Sequence, residues 1–482
     1  MGKNENAVLK TLDGTVMPLV DVKARGTLAG ALFEMTVEQH YRNPRNTPIE
    51  AIYTFPLAQG AVLLGIEFEL NGKTLTGTAV QKTQAEQRYE EAIEDGDSAI
   101  LLEQTDDGRN TVNLGNLMAG EAAVVRYRYG QLLTWDQGSL RLTIPTTLAP
   151  RYGDPLAQGL QPHQTPVEDV VVEYPLSLEI DVLGDLATRQ VSSPTHALQA
   201  RRIDQGLRLT LGQACLDRDV VLTVSGGAAS VVHVAKDTEG WVALAAFCPT
   251  IEGVAIDGPL SLRVVIDCSG SMGGASIQAA RQGALRVIEE LRPEDEFSVT
   301  RFGSSHVHLC DRLWLADRPQ VAKATRFLLG TEADMGGTEM ASALESVSQL
   351  PAERQGGSVL LITDGDIWDH KTLITKAKRS GLRYFVVGVG TSPAHETLTR
   401  LAQETGGGYE AVTPGEDIEA AIVRQFGRMR QPRASRLRLC WPQVTPWSTN
   451  LPATLFKGDT LHVFARFVNE PEGQVRLCYD LD

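Results

Sequence analysis

Residues 261–276 read SLRVVIDCSGSMGGAS, an apolar run driven straight into an aspartate, with serines two and four positions beyond it. Leu262, Val264, Val265 and Ile266 form the short, β-branched-rich run of a strand buried on both faces. The next stretch, SIQAARQGALRVIEEL, places Ile277, Ala280, Ala284, Val287, Ile288 and Leu291 on one helical face. Strand FSVTRFG follows, then helices QVAKATRFLL and EMASALESVSQL. After these, strand SVLLITDG leads into helix KTLITKAKRSG, strand LRYFVVGVG into HETLTRLAQETGG, and strand YEAV into EDIEAAIVRQFGRM. Strands alternating with helices of about 10–15 residues predict a doubly wound, Rossmann-like parallel sheet covered on both faces. We assign it residues 251–431.

The flanking text is of another kind. Alternation marks strands at 31–41, 51–57, 62–70 and 123–133, interrupted by a helical stretch, QKTQAEQRYEEAIEDG, that Gly96 stops. Residues 1–155 therefore read as a β-rich domain with one helix, and Pro- and Gly-bearing text at 149–166 as a connection. Strands resume from 167 to 249 (DVVVEYPLSLEIDVL, GLRLTLG, DVVLTVSG, SVVHVAK, WVALAAFCP) and again after 432 (SRLRLCW, LHVFARFVN, QVRLCYDL). Because the ends of a doubly wound domain can lie close together, we expect 156–250 and 432–482 to form one β-sandwich with the α/β domain inserted in it.

The totals agree with several domains: 482 residues exceed one ordinary core. Sixty acidic residues against 45 basic ones give a net charge of −15, which opposes attraction to nucleic acid or anionic membrane. Arg424, Arg428, Arg430, Arg433, Arg436 and Arg438 cluster, and are read as a solvated helix face and the strand after it rather than a docking patch. No apolar stretch approaches the length of a membrane span, and the first residues lack the apolar core of a secretion signal. The six cysteines are scattered without a C-x-x-C pair, and no N-x-S/T acceptor occurs. A cytoplasmic protein is the expectation, with secretion by another route left open, and the strand-like ending VRLCYDLD raises the expectation of a longer natural chain.

In doubly wound sheets ligands bind at the carboxyl ends of the strands, where the strand order reverses. The turn after Asp267 lies at such an end. Two further loops of the domain are rich in oxygen donors: DMGGTEM, carrying Thr338, and ITDGD, carrying Asp364 directly after an apolar strand. Asp267, Ser269, Ser271, Thr338 and Asp364 are all oxygen donors, with no Cys or His among them. That set suits a hard divalent cation, Mg2+ with Mn2+ or Ca2+ as alternatives, and argues against zinc. Three of the donors are uncharged hydroxyls, so at most two carboxylates offset the ion, which leaves room for a Glu or Asp carboxylate of a partner protein.

DCSGS, GGT and TDG, spaced over roughly 100 residues of α/β text, resemble the metal-ion-dependent adhesion site (MIDAS) of the von Willebrand factor type A domain. The resemblance implies an intact site at those five positions; Cys268 fills a variable place and is read as a buried, inert thiol rather than a partly exposed one near the ion. IEAIYTFPL, AEQRYEEAIEDGDSAILLEQ, NLGNLMAGE and PRY (150–152) resemble the vault/inter-alpha-trypsin (VIT) domain, in which Tyr89, Gly96 and Asn116 are given structural roles. The pairing is similar to inter-alpha-trypsin inhibitor heavy chains and their microbial relatives, but the D-P-H motif of their matrix-linking function is absent. The fold and the metal site carry over; matrix linking does not.

Other motifs fail on inspection. NGKT at 71–74 lacks the upstream glycine spacing of a phosphate loop, HETLTR lacks the second His of H-E-x-x-H, and no serine sits in G-x-S-x-G. His306 and His308 are read as surface or core histidines. The leading expectation is a non-enzymatic, metal-dependent protein-binding module, with no nucleic acid partner and an oligomeric state left open. Two alternatives stand beside it: a metal-dependent hydrolase with Asp366 or Asp369 as base, and an intracellular scaffold whose metal site is only structural.

Overall fold

The computed structural model describes all residues except 1–4, 7, 12–18, 44–45, 47–48, 56, 59, 71–72, 77–99, 105–109, 118–119, 149–174, 213, 216–218, 228–229, 250, 252–257, 355, 366–369, 391–394, 414–415, 444–446, 450 and 482. The helix expected over 81–96, the connection expected over 149–166 and the carboxylates Asp366 and Asp369 thus lie outside the described residues. Contacts divide the chain into two compact units. One comprises Gly2–Leu133 and Leu140–Gly226, the other Thr134–Ser139 and Gly227–Asp482.

The first unit is built on a nine-stranded sheet whose centre is antiparallel: Leu19–Ala29, Leu32–Arg42, Ala122–Leu132 and Ala61–Leu70 are successive neighbours. Period-two alternation explains it. Along Leu32–Arg42, Phe33, Met35, Val37, Gln39 and Tyr41 are buried while Glu34, Thr36, Glu38 and His40 look outward. The outward face is closed by ion pairs; Arg126 reaches Glu38 at 2.7 Å and Glu67 at 3.2 Å.

Here the structure corrects the expected domain division. Pro175–Leu183 does not join the C-terminal strands. It runs parallel to Leu19–Ala29 and antiparallel to Gly206–Leu211, as part of the same nine-stranded sheet. Its buried residues Leu176, Leu178, Ile180 and Val182 stand beside Val22, Ala24, Gly26 and Leu28 and extend that apolar face. Alternation says that a segment is a strand with one apolar face; it does not say which neighbour covers it. The last division between the two units falls at Gly226/Gly227, while the boundary expected at 155/156 lies outside the described residues.

In the second unit, Gly240–Phe247 pairs antiparallel with both Val231–Asp237 and Leu461–Phe467. The α/β domain is therefore inserted between strands that pair with one another. A second small sheet, Thr454–Phe456, Arg433–Cys440 and Arg476–Leu481, closes a shared core of Ala245, Ile251, Ala434, Leu455, Leu461 and Val463.

The α/β domain itself has strands β1 (Ser261–Asp267), β2 (Glu296–Phe302), β3 (His306–His308), β4 (Trp314–Leu315), β5 (Ser358–Thr363), β6 (Arg383–Val389) and β7 (Tyr409–Val412). Its helices are α1 (Ala275–Glu289), α2 (Arg318–Leu329), α3 (Met340–Gln349), α4 (His370–Ser380), α5 (His395–Thr405) and α6 (Ile418–Arg428). The order is β3-β2-β1-β5-β6-β7. All pairings are parallel except those of the short strands β3 and β4 with β2. Every residue of β1 and β5 is buried, because alternate side chains serve different helix layers. Val264, Ile266, Leu360 and Phe385 pack with the core residues of α1, α2 and α6, while Val265, Leu361 and Val386 pack with those of α3, α4 and α5. Strand order reverses between β1 and β5, which fixes where a crevice opens. Among the described residues, no helix is long and apolar enough to cross a membrane.

Candidate functional site

β1 ends at Asp267, and the chain tightens at once into a single helical turn, Gly270–Met272. Two backbone hydrogen bonds tie this turn to the loop before α3: Gly270 N–H donates to Gly336 O at 2.9 Å and Met335 N–H to Cys268 O at 2.9 Å. Gly336 adopts φ +77°, a left-handed conformation that favours glycine. The loop after β2 joins the same knot. Ser304 N–H donates to Met335 O at 2.7 Å, and Gly337 N–H to Ser304 Oγ at 2.8 Å.

Four of the five oxygen-bearing side chains singled out in the sequence, those of Asp267, Ser269, Ser271 and Asp364, are tied together at this knot by hydrogen bonds, and the methyl group of the fifth, Thr338, packs against Gly365 beside them. Asp267 is 0% exposed; its Oδ1 accepts from Ser269 N–H at 2.9 Å, and its Oδ2 accepts from Thr363 Oγ1 at 2.6 Å. Ser269 Oγ lies 3.0 Å from Ser271 Oγ, which in turn donates to Asp364 Oδ1 at 2.9 Å. Thr338 arrives from the third loop. A Cβ placed on Gly365 would fall 2.6 Å from the Thr338 methyl, 3.1 Å from Asp267 Oδ2 and 3.2 Å from Thr363 Oγ1. Gly365 is thus the point where the loops after β1 and β5 and before α3 crowd together, and only a residue without a side chain fits.

Burial pushes the Asp267 carboxyl above its ordinary range, while hydrogen bonds from Thr363 and Ser269 pull the other way. Asp267, Ser269, Ser271 and Asp364 offer two carboxylates and two hydroxyls in one hydrogen-bonded group at the reversal point of the sheet, with Thr338 on the adjoining loop. Its donor chemistry fits a hard divalent cation. Cys268 turns away from it: the thiol is fully buried, directs its hydrogen to Ile266 O at 3.6 Å, and is pushed up to about 12 by burial and by the charge of Asp267. Such a thiol is inert.

Two residues of the cluster were not singled out in the sequence. Thr363 is the last residue of an apolar strand, and Gly365 passes for an ordinary turn glycine. The available signal was the polar ending of SVLLIT, which puts a hydroxyl at a position where an aliphatic side chain would be expected. His308 bridges Thr300 Oγ1 and Ser346 Oγ, each at 2.8 Å, and takes no part in the site.

The arginine cluster is corrected in part. Rather than lining a solvated face, Arg428 is 3% exposed and paired with Asp136 and Asp459. Arg430 reaches the buried Asp295, Arg424 reaches Glu410, and Arg436 and Arg438 share Asp480. The charges are consumed locally, which leaves no basic patch among these five.

The class of the α/β domain follows from comparison with known families. Residues 262–422 match the von Willebrand factor type A domain family, and residues 19–129 match the vault protein inter-alpha-trypsin domain family. The chain carries both domains. It is 26% identical over 491 residues to protein mono-ADP-ribosyltransferase PARP4 of Mus musculus, covering 96% of this chain and 24% of that protein. It is 24% identical over 504 residues to von Willebrand factor A domain-containing protein 5A of Rattus norvegicus, covering 95% of this chain and 61% of that protein. The chain therefore spans a quarter to three fifths of the length of these curated relatives. Among solved structures, von Willebrand factor type A from Catenulispora acidiphila is 18% identical, with 52% of this chain and 69% of that chain covered at a TM-score of 0.38.

Proposed function

We propose that the α/β domain is a non-enzymatic, cation-dependent protein-binding module. Asp267, Ser269, Ser271, Thr338 and Asp364 would hold the cation, Mg2+ with Mn2+ or Ca2+ as alternatives. When bound, the ion supplies an electrophilic point that takes a Glu or Asp carboxylate of a partner protein. The single observation behind this reading is the hydrogen-bonded cluster of Asp267, Ser269, Ser271 and Asp364, two of them carboxylates, with Thr338 on the loop packed against it. Hard divalent cations prefer such oxygens and tolerate water or an outside ligand in the remaining positions. Two carboxylates at most balance the ion's charge, so an incoming anion still meets a favourable field once water is displaced.

The chain's own residues have defined tasks in this reading. Backbone hydrogen bonds between Cys268–Gly270 and Met335–Gly336 hold the serine turn against the Thr338 loop. Ser271 spans from that turn to Asp364. The match to the mouse mono-ADP-ribosyltransferase reaches only 24% of that protein's length and carries no transferase activity over to this chain.

The test is retention of partner proteins on the immobilised chain in MgCl2 and in EDTA, with Asp364→Ala alongside. Proteins retained in Mg2+, released by EDTA and lost on Asp364→Ala support the module. Retention indifferent to both contradicts it.

A further inference from the structure

We propose that Thr363 is a positioning residue for this site: its hydroxyl fixes the orientation of the Asp267 carboxylate and locks the loop after β5 to the end of β1. The inference rests on the cation reading above and adds to it a residue that is no ligand itself.

The hydrogen-bond directions follow from the chemistry of the groups. An amide N–H only donates, so in the 2.9 Å contact between Gly365 N and Thr363 Oγ1 the hydroxyl is the acceptor. Its single proton is then free to point at Asp267 Oδ2, 2.6 Å away. The other carboxylate oxygen, Oδ1, accepts from Ser269 N–H at 2.9 Å. Each oxygen of Asp267 is thus held by one donor, Oδ1 from its own turn and Oδ2 from the neighbouring strand. Each oxygen keeps lone pairs for an ion.

The same hydroxyl accepts from the N–H of Gly365, where an added side chain would collide with the Thr338 methyl and crowd Asp267 Oδ2 and Thr363 Oγ1. Thr363 therefore couples two loops that each carry a proposed ligand, Asp267 and Asp364. A carboxylate already oriented gives up less freedom on binding than one that must be ordered, and groups that orient ligands act on affinity for this reason. Thr363 is fully buried, so water does not replace its hydroxyl without rearrangement.

The experiment compares wild type, Thr363→Val and Thr363→Ser as the full chain. Affinities for MgCl2 and MnCl2 are measured by isothermal titration calorimetry, and circular dichroism confirms the fold. Valine keeps the shape and removes the hydroxyl; serine keeps the hydroxyl. The expected result is an affinity about 10–100-fold weaker for valine and close to wild type for serine. Cation affinity unchanged in valine overturns the inference, as does equal loss in valine and serine, which would assign the effect to the methyl group. Should valine prevent folding, Thr363→Ala takes its place with the same expected loss, and wild-type affinity in alanine overturns the inference. Wild-type protein that takes up neither cation would instead remove the site reading itself.

Discussion

Asp267 carries the largest electrostatic burden of any residue in the site. A carboxylate with no exposure is costly unless it is hydrogen-bonded and paired with positive charge. Here two donors are in place, and no arginine or lysine is paired with it among the described ion pairs. A cation is the natural compensation. At the same scale, His462 gives a pH prediction away from the site. Burial pushes its ring down to about 4 from the ordinary 6.5, and neither ring nitrogen has a hydrogen-bond partner in the structure. Between pH 6.5 and 4 the unfolded chain takes up a proton that the folded chain refuses, so this residue's contribution to stability is lost as pH falls through that window. Denaturant unfolding at pH 7 and pH 5 should show a smaller acid loss for His462→Gln than for wild type; equal losses would assign the acid sensitivity elsewhere. The five proposed ligands were legible in the sequence because Asp267, Ser269 and Ser271 sit within five residues and Thr338 and Asp364 close recognisable loops. Thr363 was not, since a hydroxyl's role depends on a neighbour 96 residues away.

At the scale of elements, the six helices and the long strands of the α/β domain follow the apolar periodicity closely, while their closest approaches do not show in it. Gly283 of α1 faces α6: a Cβ there would lie 2.6 Å from Ile422 Cδ1 and 2.9 Å from Ile422 Cβ. Two effects compete in Gly283→Ala. Alanine gains about 0.8–1.0 kcal/mol of helix propensity, while overpacking a filled core costs about 1–3 kcal/mol. Ile422 is itself 0% exposed and its Cβ cannot swing aside without shifting α6, so the clash wins. Gly283→Ala should lower stability in a denaturant titration by about 1 kcal/mol; a stabilised variant would show that the two helices separate easily. The short strand β4 was missed, and β3 left open between strand and loop, for a related reason. Two or three residues carry too little pattern to read, and their pairing with β2 supplies what the sequence lacks.

For the whole molecule, chain order and spatial grouping part company. Thr134–Ser139 lies between strands of the first unit yet groups with Gly227–Asp482. There Thr460 N–H donates to Trp135 O at 2.9 Å, and Asp136 reaches the buried Arg428 at 2.6 Å. The unexpected pairing of Pro175–Leu183 has the same root. Pro175–Leu183 and Gly240–Phe247 look alike as text, and only long-range pairing separates them. Local pattern therefore decided the α/β domain, whose parts are contiguous, and failed where the β regions exchange segments across hundreds of residues. Function depends on the contiguous part. Its central claim is that the loops after β1 and β5 and before α3 form a site for a divalent cation. The most direct measurement is the melting temperature of wild type and Asp267→Ala against rising MgCl2, starting from EDTA-treated protein. A ligand that binds only the folded state adds stability as its concentration passes its Kd, about 2.7 kcal/mol at a hundredfold excess. Wild type should melt progressively higher and Asp267→Ala should not respond. A wild-type melting temperature indifferent to Mg2+, Mn2+ and Ca2+, or an equal rise in the variant, would contradict the account.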